Sequence, residues 1–131
     1  MTITIELPLP PKEMHPNRRS HWRAKMKPKS DQRSAARILA VHAIRDSIDG
    51  LQHAPPNWKM AEVESTWYLA RENDPDNLIA WMKGTLDGLA DAGIVGNDRG
   101  FVLMPPKQVL DPKRNGQRKL VLKITARQPT P

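Results

Sequence analysis

The sequence predicts an α+β fold, a two-layer sandwich in which one mixed β-sheet carries its helices mainly on one face. Three observations predict it. Segments alternating apolar and polar residues at period two open and close the chain; two helical patterns lie between; and the order strand, helix, strand, helix, strand, strand leaves each element one apolar face to bury. With 131 residues, the chain is read as one domain with a modest core.

The first strand is "TITIEL", where Ile3, Ile5 and Leu7 alternate with Thr2, Thr4 and Glu6. Pro8, Pro10 and Pro11 end it, because proline donates nothing to a sheet ladder. Residues 11–30 follow, rich in Lys and Arg and without an apolar period, and read as a basic arm or loop. Ser30 is the expected N-cap of a helix over about 31–49, with Ile38, Val41, Ile44 and Ile48 as its apolar stripe and Gly50 as its stop. A second strand is expected over Met60–Ala70, with Ala61, Val63, Trp67 and Leu69 facing inward.

A second helix then carries Ile79, Met82, Leu86, Leu89 and Ala90 on one face and stops at Gly93. Gly84 and Gly88 lie inside it at about 1 kcal/mol each relative to alanine, a cost that close approach of another backbone explains. Strands are expected over 98–104 and 117–126, the latter burying Leu120, Leu122 and Ile124. "DPKRNG" reads as a basic turn between them.

Composition narrows function. There is no cysteine, which excludes a disulfide framework, a thiolate zinc site and a cysteine nucleophile. No signal peptide or membrane-spanning run is legible, so a cytoplasmic protein is expected, without a membrane partner. A formal charge of +7 and a pI near 10.1 favour a polyanion, nucleic acid first. No Gly-rich phosphate loop or serine elbow is present, so no nucleotide cofactor is expected.

Against that basic background stands "ENDPDN" at residues 72–77. Residues 72–98 hold six acids and one lysine, a net −5 that leaves +12 for the rest of the +7 chain. Two readings of Asp74 and Asp76 stand side by side. Acids cap helix starts and suit the positive end of the helix dipole. Clustered carboxylates also repel unless a cation neutralises them, and carboxylates holding Mg²⁺ among phosphate-binding cations are what a metal-dependent nuclease requires.

Pro75 pushes Asp74 into an extended conformation, which places Asp74 just before the helix and Asp76 at its cap. Asp98 is the candidate third oxygen donor. Lys83, seven residues beyond Asp76, lies two turns along the same face, about 10 Å away; either it reaches a bound phosphate or it pairs with Asp87 at i,i+4. Arg71 either grips a phosphate or pairs with Glu72 or Asp74.

With these residues assembled, the chain resembles the RusA family of Holliday junction resolvases. "DPDNLIAWMKGTLDGLADAGIVGND" is similar to the family's central pattern, "LPLPPKEMHPNRRSHWR" to its first strand and proline turn, and "RKLVLKIT" to its last strand. The resemblance implies a homodimeric endonuclease, dependent on Mg²⁺ or Mn²⁺, that nicks four-way DNA junctions symmetrically in recombination and repair. It places the metal ligands on Asp74, Asp76 and Asp98 and the catalytic lysine on Lys83. Lys83 stands six residues after Asn77 where the best-known members have three, and Asn97 replaces one acid of the closing pair.

Arg18, Arg19, Arg23, Lys25, Lys27, Lys29, Arg71, Lys113 and Arg114 are the expected phosphate contacts, giving affinity without sequence reading; a solvated arm accounts equally for any one of those in the arm. Trp22 is expected to pack on its own domain, with stacking on an unpaired base the alternative. Trp58, Trp67 and Trp81 are expected in the core or an interface, and His15, His21, His42 and His53 as surface or capping residues. The rival function is a non-catalytic protein that binds junction or duplex DNA on the same fold.

Overall fold

A computed structural model describes residues 2–18, 22–47, 55–111 and 118–127, with Ser47 and Asp98 described by their backbone alone. The elements in order are β1 (Thr2–Pro8), a 3-10 turn (Lys12–Met14), α1 (Trp22–Ser47), β2 (Ala61–Leu69), α2 (Pro75–Trp81), α3 (Lys83–Asp91), a second 3-10 turn (Asp98–Gly100), β3 (Phe101–Leu103), β4 (Lys107–Leu110) and β5 (Lys119–Ala126).

Five strands form one mixed sheet, and the expected α+β class holds. β5 lies between β1 and β2 and is antiparallel to both. The register matches the apolar periods row by row: Ile3, Ile124 and Val63 align, as do Ile5, Leu122 and Ser65, and Leu7, Leu120 and Trp67. All these side chains are buried on the helix-bearing face. Ser65 is the polar member of that face, and its Oγ accepts from Trp67 Nε1 at 3.1 Å, so both buried polar groups are satisfied two residues apart.

The far edge of β2 differs from expectation. It pairs in parallel with β3 at Ala61–Val63 and with β4 at Thr66–Leu69. β3 and β4 are successive pieces along one edge, interrupted where Pro105 and Pro106 have no N–H to contribute. β4 had no legible signal, since it is short and its Val109 and Leu110 are exposed.

The helix α1 starts at Trp22, within the segment expected to be an arm, and Ser30 lies inside it. The run "WRAKMK" consists largely of strong helix formers. Pro28, half-buried inside the helix, forfeits one hydrogen bond, to Ala24. The expected stripe is also displaced: Ile38 is 49% exposed, and the buried positions are Gln32, Ala36, Ala40 and Ile44 at successive i,i+4. Ile48 and Gly50 lie outside the described residues.

Small residues on that stripe let α1 and α3 approach closely. A Cβ at Gly88 would meet the Arg33 carbonyl and the Ala36 methyl, and one at Gly84 would meet Gln32. The expected backbone approach is thus found at Gly88, whereas Gly84 makes room for the buried Gln32 side chain. At the exposed rim Arg33 holds Asp91 with two hydrogen bonds, Nε to Oδ2 at 2.5 Å and Nη2 to Oδ1 at 2.7 Å. These bonds are the main reason the Asp91 carboxyl is held below its ordinary value of 3.8.

The sign of the linkage follows. The pair's contribution to stability is fully present above pH 3.8 and is lost as pH falls through the lowered native value. Asp91→Asn should therefore narrow the stability difference from wild type as urea titrations move from neutral to acid pH. The effect is modest, because the pair is partly exposed.

The expected second helix is broken. Met82 has φ −83°, ψ −6° and separates α2 from α3, its N–H shared between the carbonyls of Leu78 (3.1 Å) and Ile79 (3.2 Å). Apolar spacing continues across the break, so periodicity did not reveal it. The stop at Gly93 is as expected: with φ +85°, Gly93 N–H bonds Ala90 O and Ile94 N–H bonds Leu89 O, the paired bonds of a Schellman cap. No helix of the described residues is long and apolar enough to cross a membrane.

Candidate functional site

The chain leaves β2 at Leu69 and enters α2 at Pro75, and the intervening loop carries Arg71, Glu72, Asn73 and Asp74. Two residues from elsewhere fix it. Gln108, opposite Trp67 on β4, clamps the Asn73 backbone, its Oε1 accepting from the amide N at 2.9 Å and its Nε2 donating to the carbonyl at 2.8 Å. His15 approaches from the other side, with Nε2 3.1 Å from Asn73 Oδ1.

The His15 tautomer follows from its second contact. Nδ1 accepts the backbone N–H of Asn17 at 3.1 Å, so in the neutral ring Nε2 carries the proton and donates to Asn73. Asn73 Nδ2 then donates to the Arg71 carbonyl at 3.2 Å. His15 also packs edge-on against Trp81 at 5.0 Å; Trp81 stacks on Trp67 at 5.5 Å and donates through Nε1 to the Pro11 carbonyl at 2.8 Å. His15, expected as a surface or capping residue, thus ties the proline turn to the acidic loop. Neither His15 nor Gln108 carries a local sequence signal for this role, since the bonds span 58 and 35 residues.

Within this frame Asp74 is itself the N-cap of α2. It is extended (φ −60°, ψ 129°), as Pro75 dictates, and its Oδ1 accepts the Asp76 N–H at 2.9 Å. Asp76 stands in the first helical turn instead of at the cap, which corrects the expected placement. Capping commits one carboxylate oxygen of Asp74. Arg71, Glu72, Asp74 and Asp76 are all exposed, and the three acids present hard oxygen donors of the kind Mg²⁺ prefers along the loop and the first turn of α2.

Asp98 does not join them within the chain. Its backbone opens the 3-10 turn before β3, where the Asn97 side chain accepts the Arg99 N–H at 3.0 Å. β3 runs parallel to β2 from Phe101 opposite Ala61, and Gly100 lies against the Lys59 carbonyl. Asp98 therefore belongs to the Ala61 end of β2, whereas Asp74 follows its Leu69 end. A nine-residue strand is about 26 Å long, and no aspartate side chain spans it. The expected triad is thus not assembled by one chain, because the α2–α3 crossover carries the backbone from one end of the sheet to the other. Among the described residues no three His, Asp or Glu side chains group to hold a metal ion; the Asp98 side chain lies outside them.

Lys83 opens α3 after the break at Met82, so it does not continue the α2 face that bears Asp76. It is exposed and lines a groove between α1 and α3, with Asp87 on the same wall. Among the described residues it forms no ion pair with Asp87. Of the expected phosphate contacts, Arg18, Arg23, Lys27, Lys29 and Arg71 are exposed and Lys25 is half-buried on α1. Lys27 also pairs with Asp31 at 3.8 Å, and Arg23 lies over the Trp22 ring at 5.3 Å. Arg19, Lys113 and Arg114 lie outside the described residues.

Trp22, expected to pack on its own domain, is 61% exposed and contacts its own chain through Arg23. Trp67 and Trp81 are in the core, with Trp58 packed against it. Compared with known proteins, the chain matches no family model and no curated protein.

Proposed function

We propose that the protein is a metal-dependent, structure-selective DNA endonuclease that acts as a homodimer on four-way junctions. The observation carrying this reading is the exposed pair Asp74 and Asp76 at the start of α2, where the preceding loop is braced by Gln108 and His15, in a chain whose remainder is strongly basic. The resemblance of the central segment to RusA-type resolvases supports it.

Asp74 and Asp76 of one protomer would hold Mg²⁺ or Mn²⁺ together with Asp98 of the partner subunit, because Asp98 of the same chain stands at the wrong end of β2. Such an ion, when bound, lowers the pKa of water and polarises a phosphodiester. The protein's own part is to present two exposed carboxylates, that of Asp74 held by its capping bond, and to hold the phosphate backbone with Arg18, Arg71 and the cations of α1. Lys83 would stabilise charge on the phosphate. A junction has two strands to cut, and a twofold dimer supplies two equivalent sites.

The second reading, a junction-binding protein without turnover, is favoured by one observation, the separation of Asp98 from Asp74 in the chain. A synthetic four-way junction separates the two. The expected result is paired, symmetric nicks with Mg²⁺ or Mn²⁺ and none with EDTA. Binding without nicks in either metal would establish the second reading.

A further inference from the structure

The buried face of α1 continues past the core. Gln32, Ala36, Ala40 and Ile44 carry it where α1 packs against the rest of the molecule; one and two turns earlier the same face carries Trp22, Lys25, Met26 and Lys29, spaced i, i+3, i+4, i+7 as one stripe. There it overhangs α2 and α3 and forms one wall of a groove of about 780 Å³, with Lys83 and Asp87 opposite. Trp22 and Met26 are 61% and 60% exposed.

The chemistry of that wall selects its occupant. A helix partner wants a wholly apolar stripe, but here two lysines alternate with the two apolar side chains. A paired duplex offers phosphates but keeps its base faces stacked. A groove of this size suits a drug-sized ligand, and an aromatic platform flanked by ammonium groups suits a flat ring joined to a phosphate. We propose that this groove binds an unpaired nucleotide of single-stranded DNA, the base against Trp22 and Met26 and its flanking phosphates on Lys25 and Lys29. Asp87 is the acid of the lining. Arg33, also on it, is committed to Asp91.

This inference rests on the reading of the protein as DNA-binding and is independent of cleavage. The test uses the full chain in EDTA, titrated with a ten-nucleotide oligothymidylate while tryptophan fluorescence is followed. Quenching is expected, and Trp22→Ala should weaken binding by about tenfold, within the range of one stacked base. Lys25→Gln and Lys29→Gln should each lower the salt slope by about 0.7.

All three positions are solvent-accessible, and urea titration checks that the variants fold. Equal affinity of Trp22→Ala and wild type would overturn the proposal. So would equal quenching by a duplex, or displacement by thymidine monophosphate at concentrations comparable to the oligonucleotide, which would assign the groove to free nucleotides. Because the assay holds no divalent ion and no junction, a negative result removes the groove alone. Absence of junction nicking leaves the assay intact.

Discussion

Asp76→Asn is expected to abolish junction cleavage while leaving junction binding equal or tighter. The substitution keeps the shape of the side chain and, through the backbone N–H of residue 76, the bond that Asp74 accepts. What it removes is a negative charge on an exposed helix turn. Loss of outer-shell partners of a metal costs up to about a hundredfold, so loss of a direct ligand should exceed that. On the proposed reading this surface would face phosphates, so removing a carboxylate from it lowers repulsion, hence the unchanged or improved binding. Gel-shift and nicking assays on the same junction measure both quantities, and retained cleavage would remove Asp76 from the site.

Gly88→Ala should destabilise the fold by about 1–3 kcal/mol, the usual cost of overpacking. The sign is informative because Gly→Ala inside a helix ordinarily stabilises by about 1 kcal/mol. Here the new methyl would meet the Arg33 carbonyl and the Ala36 methyl of α1, and both lie on the helix that caps the sheet. A backbone carbonyl does not swing aside as a surface side chain does. Gly96, with nothing within 4 Å of a built Cβ, is the control, and Gly96→Ala should be close to neutral. Urea denaturation of the pair measures the contrast; a Gly88→Ala midpoint at or above wild type would show that α1 and α3 are not in close contact.

These two sites also show what sequence could and could not disclose. The sheet core was legible because Ile3, Ile5 and Leu7 and Leu120, Leu122 and Ile124 alternate strictly, and one face of a strand is a local property. The glycines of α3 were legible as a close approach, though not which helix approached. The start of α1 was not legible, because Trp22 and Met26 face a groove instead of the core and periodicity reads only faces that are buried. The break at Met82 was hidden because apolar spacing continues across it, and β4 because it is short and its Val109 and Leu110 are exposed.

The acidic loop divides in the same way. Pro75 announced the extended Asp74, a nearest-neighbour effect. The clamp of Gln108 and His15 on Asn73 depends on pairings across the sheet and has no local trace. The distance between Asp98 and Asp74 is fixed by the parallel register of β2 and β3, which no spacing along the chain reveals. That register is why the proposed function needs a second copy of the chain.

Mixing Asp76→Asn and Asp98→Asn protomers by co-expression tests this most directly. Each variant alone should leave the junction intact. In a mixed dimer one site has lost both kinds of ligand, while the other combines Asp74 and Asp76 of one protomer with Asp98 of its partner, so nicking of one strand should return. A mixture as inert as its parents, beside a wild type that cuts, would contradict ligation shared across the dimer; a wild type that never cuts would contradict the nuclease itself.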